Sequence, residues 1–162
     1  MEYLTTQELE KYIDELYEKL HPLAIEDDIY EPLRVHFALS TPRNEPGTYC
    51  FSDEEGYHYC NIGERGERYY EVTKDLFEVV YWIFKTPISL MSSRYENRHE
   101  VPGQDFRRIM FEKELQFFEL LGNEYRQRAE REINEILRNH PYHDEEAKAE
   151  KGLFSWLKTD RS

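Results

Sequence analysis

Apolar residues recur at helical spacing near the start of the chain. The spacing of three or four positions is the period of one buried helix face. Thr5 and Glu8 precede this run as a capping box, in which the two side chains satisfy free backbone amides of the first turn. The sequence therefore predicts an amphipathic helix that begins after Thr5 and ends at residues 21–22. The apolar residues of its inner face are Leu9, Ile13, Leu16 and Leu20.

Alternation of apolar and polar residues follows, and this alternation is typical of strands with one buried face. A loop rich in turn-forming residues at 40–47 separates the first such segment from the others. Gly56 can supply the left-handed backbone of a short hairpin turn, and residues 63–67 form a second turn. The order predicts a three- or four-stranded antiparallel meander. The predicted strands are 33–39, 48–52, 57–62 and 68–72.

The length of the first hairpin turn decides which residues share a face of the sheet. With residues 54–56 as the loop, Cys50 lies opposite Cys60 and Phe51 lies opposite Tyr59. A reducing compartment would keep both cysteines as thiols, and the sequence leaves open whether they pair. The predicted faces are Cys50, His58, Cys60 and Ile62 on one side, and Tyr49, Phe51, Tyr57 and Tyr59 on the other.

The C-terminal half of the chain is predicted to be helical. Thr73 caps a helical run over 76–84 that has apolar residues on every side, as in a central buried helix. A separate helix is expected over 86–98, because proline is favoured at the first helical position. Two more helices are expected over about 104–121 and 124–139. The whole pattern predicts an α+β fold in which a three- to four-stranded antiparallel meander packs with about five helices.

The chain of 162 residues has the size of one domain. We expect a single α+β domain over 1–141 and a polar tail over 142–162, with a short apolar cluster at Gly152–Leu157 of unassigned role. No segment approaches the roughly 20 apolar residues of a membrane helix. The first residues also lack the basic and apolar regions of a secretion signal, so a cytoplasmic protein is expected.

The charge of the chain limits its partners. Thirty-four acidic and 21 basic residues give a net charge of −13, with −8 in residues 1–32 and −6 in residues 45–78. Nucleic-acid affinity depends on Lys and Arg that displace counterions, so DNA, RNA and anionic membranes are not expected partners. A cationic protein would be attracted to such a surface. The alternative interpretation is that the acidic residues only confer solubility.

Enzyme motifs are missing from the sequence. It holds no nucleophile elbow, no phosphate-binding glycine loop and no zinc motif, and we expect no catalytic residue, no cofactor and no metal. One alternative is a metal site made by His36, His58 and Cys60, because alternate residues of neighbouring strands share a face. The ordinary interpretation of these three residues is packing within the sheet.

Tyrosines and acidic residues cluster around the predicted hairpins. Tyrosine supplies a large contact area at a low entropy cost and is enriched at interfaces. The cluster is therefore a candidate docking surface for a basic protein, although alternation predicts that half of the rings lie in the core. The candidate residues are Asp53, Glu54, Glu55, Tyr57, Tyr59, Glu64, Glu67, Tyr69 and Tyr70.

Arg107 lies between two apolar arcs of the predicted helix over 104–121. A charge in that position needs a partner or access to water. Two interpretations stay open: a binding arginine that lines a groove for a small ligand, or a structural arginine that holds a carboxylate or backbone carbonyls.

Five short sequence blocks occur in a fixed order along residues 48–140. They are Tyr49-Cys50-Phe51, Gly56-Tyr57-His58-Tyr59, Glu64-Arg65-Gly66, Tyr81-Trp82-Ile83-Phe84 and Gln104-Asp105-Phe106-Arg107-Arg108-Ile109-Met110-Phe111. In this order and spacing they resemble the bacterial immunity protein 63 family. The resemblance implies a small cytoplasmic protein that binds and neutralises a toxin domain, without catalytic residues or a cofactor. The motif positions expected to be structural are His58, Arg65, Asp105, Arg107 and Arg108.

The residues and the resemblance together predict an immunity protein that occludes a toxin sterically. Carboxylates would occupy the cationic cleft of a basic toxin domain, such as a nuclease, and tyrosine rings would anchor the contact. The alternative is a small-ligand or metal-binding domain that uses Arg107 or the region of His58 and Cys60. The sequence leaves the identity of the toxin and the oligomeric state open.

Overall fold

A computed structural model describes residues 2–38 and 45–144 and confirms the α+β class. The predicted apolar cluster at Gly152–Leu157 lies outside the described residues. The chain divides into two compact units, and each is described separately. The first combines the residues up to Pro22 with Glu31–Pro87, and the second combines Leu23–Tyr30 with the residues from Ile88 onward. That residues 1–141 act as a single domain stays a prediction.

Nine elements follow one another along the described chain. Among these residues, no helix is both long enough and apolar enough to cross a membrane. The elements are α1 (Thr6–Glu18), α2 (His21–Glu26), β1 (Val35–Phe37), β2 (Gly47–Asp53), β3 (Gly56–Ile62), β4 (Arg68–Thr73), α3 (Leu76–Arg98), α4 (Phe106–Leu121) and α5 (Asn123–Asn139).

The predicted capping box starts α1. The Thr5 hydroxyl oxygen accepts the Glu8 backbone N–H at 3.1 Å, and the Glu8 carboxylate accepts the Thr5 N–H at 2.9 Å. The helix ends at Glu18 and not at residues 21–22 as predicted, and those two residues instead form the first turn of α2, where proline is tolerated. The buried face of α1 is Leu9, Ile13, Leu16 and Tyr17.

The four strands lie in the order β1-β2-β3-β4. The predicted antiparallel meander is confirmed for β2, β3 and β4, whereas β1 pairs parallel to β2, with Val35 opposite Thr48. Alternation of apolar and polar residues shows that a strand has one buried face but carries no information about its direction. The orientation of β1 was therefore not available from the sequence pattern.

The hairpin between β2 and β3 is one residue tighter than predicted. Asp53 pairs with Gly56, so that the turn contains residues 54–55 only. Cys50 consequently lies opposite Tyr59 and not opposite Cys60. Because side chains alternate between faces, a shift of one residue moves each side chain of one strand to the other face relative to its partner. The predicted placement of Cys50 opposite Cys60 is therefore wrong.

The corrected register separates the two cysteines. Cys50 and Cys60 lie on opposite faces of the sheet, and both are free and buried. Burial raises the pKa of Cys50 to about 12, so its thiol stays protonated and unreactive at neutral pH. The observed faces are Tyr49, Phe51, His58, Cys60 and Ile62 on one side, and Cys50, Tyr57 and Tyr59 on the other.

Helix α3 is continuous through Pro87, so the prediction of two separate helices is wrong. Proline removes one helical hydrogen bond and crowds the preceding turn, which often ends a helix. Here the residues on both sides of Pro87 are buried, including Phe84 and Ile88 at 0% exposure. Burial of these apolar side chains offsets the local cost of the proline.

In the second unit, α4 and α5 pack against each other and are joined at Gly122, whose φ of +147° favours glycine. Lys113 of α4 is buried, and its ammonium group donates a hydrogen bond to the carboxylate of Asp27 at 2.8 Å. Its ammonium group also lies 3.8 Å from the centre of the Tyr95 ring. A buried ammonium group is stable only with such partners, and α4 is thereby tied to the end of α2.

Replacement of Gly56 tests the tight turn. A Cβ at this position would lie 2.5 Å from the Thr73 carbonyl oxygen, on a backbone with a φ of +129°. We expect Gly56→Ala to lower the free energy of unfolding by about 3 kcal/mol, since strain and overpacking add. Urea denaturation measures the change.

Gly66→Ala is the matched control. Its φ is +84° and nothing lies within 4 Å of the position that a Cβ would take, so only the backbone strain of about 1 kcal/mol is expected. Equal losses in the two variants would contradict the close approach at Gly56.

Candidate functional site

The turn between β2 and β3 gathers polar side chains around His58. The Nε2 atom of His58 lies 2.8 Å from Asp53 Oδ1 and 3.8 Å from Glu55 Oε1. Its Nδ1 atom lies 2.6 Å from the Tyr70 hydroxyl oxygen. The imidazole stacks on the Phe51 ring, with 4.3 Å between the ring centres. These contacts fix the orientation of the imidazole at the edge of the turn.

Exposure differs sharply among these groups. The His58 side chain is 5% exposed, whereas Asp53 is 36% and Glu55 is 72% exposed. The hydrogen bond with His58 is the largest cause that lowers the pKa of Asp53 below its ordinary value of 3.8, and the Glu55 backbone N–H adds to it. The turn therefore presents the ionised Asp53 carboxylate in front of a buried imidazole.

The metal site considered from the sequence is not assembled. The His36 ring stacks on Tyr49, with 5.1 Å between the ring centres. Tyr49 in turn pairs with Cys60, so β2 separates His36 from Cys60. Within the described residues, the group with metal-ligand geometry is instead Asp53, Glu55 and His58.

The predicted docking surface includes two residues that the structure places in the interior. Tyr57 and Tyr59 are 3% and 6% exposed. The Tyr57 hydroxyl oxygen accepts a hydrogen bond from the Leu4 backbone N–H at 2.9 Å. The centres of the Tyr59 and Trp82 rings are 6.0 Å apart. Both rings are therefore buried, and their part in a contact surface stays a prediction.

The other predicted docking residues are exposed but do not form one compact patch. Residues 53–55 and the acidic residues of 63–67 lie at opposite ends of β3. The seven residues of that strand span roughly 20 Å. Tyr69 and Tyr70 are consecutive in β4 and therefore project from opposite faces of the sheet.

Strand β4 connects these two acidic turns along one edge of the sheet. Among the described residues it pairs with β3 alone. Tyr69, Tyr70 and Val72 are 52%, 46% and 41% exposed. Burial and the neighbouring Glu71 carboxylate, to which the hydroxyl donates a hydrogen bond, raise the pKa of Tyr69. The edge therefore presents neutral aromatic side chains between two groups of acids.

A groove of about 600 Å³ adjoins the first acidic turn. It lies between residues 2–7 and residues 52–54 of the first unit. Glu2, Asp53 and Glu54 supply negative charge, and none of the described residues that line the groove is basic. Sequence reasoning missed this groove, because its two sides are some 46 positions apart. The Ser52 backbone N–H donates to the Thr6 hydroxyl at 3.0 Å and joins them.

Arg107 is enclosed by partners at the start of α4. Two of its guanidinium nitrogens donate to the Asp105 carboxylate, at 3.2 and 2.9 Å. The same guanidinium donates to the carbonyls of His140 and Pro141. These contacts match the structural interpretation of Arg107, in which it holds a carboxylate and backbone carbonyls. A ligand would have to displace them.

Arg108 extends this cluster. It pairs with the Asp144 carboxylate at 2.8 Å, and its guanidinium lies 4.1 Å from the centre of the Tyr142 ring. The remaining motif arginine, Arg65, is exposed in the second hairpin turn. Its backbone N–H donates to the Glu67 carboxylate at 3.1 Å. The structure therefore places the arginine motif positions in contacts within the chain, and their structural role stays a prediction.

Asp105 allows a test of the cluster by pH. It is 5% exposed, caps α4, and accepts the His143 backbone N–H. The hydrogen bond from Arg107 lowers its pKa, so its stabilising effect is complete above the ordinary value of 3.8 and is lost as the pH falls below it. We expect Asp105→Asn to lower the free energy of unfolding by about 3 kcal/mol at pH 7, because a buried ion pair is broken.

The measurement is urea denaturation between pH 7 and pH 3. The difference in the free energy of unfolding between the original protein and Asp105→Asn should decrease below about pH 4. Asparagine still caps a helix, so the loss reports the charge. A difference that is the same at every pH would contradict the assignment, and Asp14→Asn on the exposed side of α1 is the control.

Comparison with known proteins gives one match. The sequence model of the family Immunity protein 63 matches residues 53–135, just over half of the chain. No curated protein and no solved structure matches the sequence. The matched region begins at the acidic turn, includes β3, β4, α3 and α4, and ends within α5. The chain belongs to the Immunity protein 63 family.

Proposed function

We propose that this protein binds a cognate toxin domain along the edge of its sheet and neutralises it by steric occlusion. The contact region, named here the β4 edge surface, comprises β4 with the exposed acids of residues 53–55 and 64–67. The observation that supports it is the exposure of Tyr69, Tyr70 and Val72 between two acidic turns. Family membership supports the immunity function. The choice of surface rests on the geometry.

Aromatic side chains provide the anchoring part of this surface. Half-exposed Tyr69 and Tyr70 project to the two sides of one edge strand. A partner that grips the edge from both sides would bury both rings, and buried tyrosines dominate the binding energy of many interfaces. Among the described residues β4 pairs with β3 alone, and an edge strand of this kind can receive an added strand from a partner. These features favour a protein partner with an extended contact segment.

Charge determines the kind of partner. The net charge of −13 attracts a cationic surface and raises the rate of encounter. Acids at both ends of β4, and in the groove beside residues 52–54, match a partner with several lysine or arginine side chains. A nuclease domain, with a basic cleft for phosphate, fits this requirement. Occlusion of that cleft in the cytoplasm of the producing cell needs no chemistry by the immunity protein itself.

Tyr69→Ala tests the anchor. We expect binding to the cognate toxin domain to weaken by at least about tenfold, since a buried anchor ring would be lost. Surface plasmon resonance with a catalytically inactive toxin measures the dissociation constant. Tyr30→Ala, a second exposed tyrosine in the other unit, is the matched control and should leave binding unchanged. Weaker toxin binding by Tyr30→Ala, with no change in Tyr69→Ala, would show that the toxin contacts a surface other than the β4 edge surface.

Glu54→Gln combined with Glu64→Gln tests the electrostatic part. We expect a slower association rate and a weaker dependence of that rate on salt, because exposed charges steer the encounter and salt screens them. Stopped-flow kinetics over a range of ionic strength give the slope. Glu15→Gln with Glu18→Gln removes the same charge from exposed positions of α1 and should change the slope less. An association rate that does not depend on salt would refute the electrostatic contribution.

A further inference from the structure

We propose that the turn between β2 and β3 binds a divalent transition-metal ion of the zinc type through Asp53, Glu55 and His58. This inference goes beyond the proposed immunity function and does not depend on it. One imidazole nitrogen and two carboxylate oxygens form a ligand set that suits Zn²⁺ and Co²⁺. Three protein ligands leave a fourth position for water or for a donor atom of a partner.

The two distances from His58 Nε2 to the carboxylate oxygens lie on either side of the ligand spacing in a tetrahedral site. One atom from each of the three side chains lies within 4.8 Å of the others. His58 Nε2 is 2.8 Å from Asp53 Oδ1 and 3.8 Å from Glu55 Oε1. Ligands about 2.0–2.1 Å from a zinc ion are separated by roughly 3.4 Å in a tetrahedron. Small side-chain rotations would bring the three ligand atoms to this spacing. The Glu55 side chain is 72% exposed and has room to rotate.

The imidazole is already held as a metal ligand needs to be. It is buried, stacks on Phe51 with 7° between the ring planes, and contacts the Tyr70 hydroxyl through Nδ1. Histidine ligands usually donate their second ring N–H to a nearby oxygen, which fixes the tautomer. The Tyr70 hydroxyl can donate to Nδ1 or accept from it. A metal ion at Nε2 would therefore select the tautomer with hydrogen on Nδ1, and Tyr70 would accept that hydrogen bond.

The backbone also brings the three ligands to one side. Asp53 and His58 lie on the same face of the β2-β3 hairpin, in adjacent cross-strand positions, and the two-residue turn places Glu55 beside them. The Glu55 backbone N–H donates to the Asp53 carboxylate at 2.8 Å and holds it in position. The combination of a buried, oriented imidazole with two acids distinguishes this turn from an ordinary exposed acidic cluster.

The experiment titrates the full-length protein, stripped of metal by a chelator, with Zn²⁺ by calorimetry and with Co²⁺ by visible absorption. We expect one saturable site, and a Co²⁺ spectrum typical of four-coordinate geometry. Glu55→Gln should weaken Zn²⁺ binding by at least about tenfold, because one of three ligands is lost. Glu54→Gln, which makes the same charge change one position earlier in the same turn, should alter it less than about twofold.

Either of two results would overturn the inference. One is no saturable binding at one ion per chain. The other is an equal loss in Glu54→Gln and Glu55→Gln, which would indicate diffuse attraction of cations to an acidic turn. Both substitutions lie in an exposed turn, and circular dichroism shows that the variants are folded. Since no toxin is present, failure here leaves the proposed immunity function untouched.

Discussion

The two-residue turn between β2 and β3 determines which side chains of the sheet can meet. Because side chains alternate along a strand, moving the pairing by one residue exchanges the faces of a whole strand relative to its neighbour. With Asp53 paired to Gly56, Asp53 and His58 come to one face and the two cysteines are separated. Gly56 makes this register accessible, since its φ of +129° and the nearby Thr73 carbonyl leave no room for a Cβ. The site and the packing of the tyrosines both follow from this register.

Acidic residues serve two different purposes in this chain, and burial distinguishes them. Asp105 and Asp27 are paired with Arg107 and Lys113 in largely buried surroundings. Removal of one partner there would leave an uncompensated charge, so these pairs restrict the chain to one arrangement. The acids of the hairpin turns are exposed and screened by solvent and salt, and contribute little to stability. Their value lies in the long-range field that they create, which explains why a net charge of −13 is compatible with a stable fold.

Local signals in the sequence were sufficient for most elements. The capping box at Thr5 and the strand alternation each act within a few residues, and each occurs in the structure as expected. Two of the errors concern properties that depend on distant parts of the chain, whereas the error in the length of the hairpin turn is local. Continuity of α3 through Pro87 depends on burial, and the direction of β1 depends on its neighbour. The partners of Arg107 were left open for the same reason, since they include carbonyls more than 30 residues away. Composition alone could not separate buried Tyr57 from exposed Tyr69, since both follow the same alternation.

The edge strand β4 carries the features that favour a binding surface and also those that prevent aggregation. Exposed edge strands with aromatic side chains pair readily with other chains, and natural proteins place charges along them to oppose this. Arg68, Glu71 and the acids of the two flanking turns provide such charges. Two acidic edges of this kind would repel each other, whereas the basic partner that we propose would gain attraction from the same groups. In the proposed function, negative charge around the aromatic edge would therefore favour a cationic protein over a second copy of this chain.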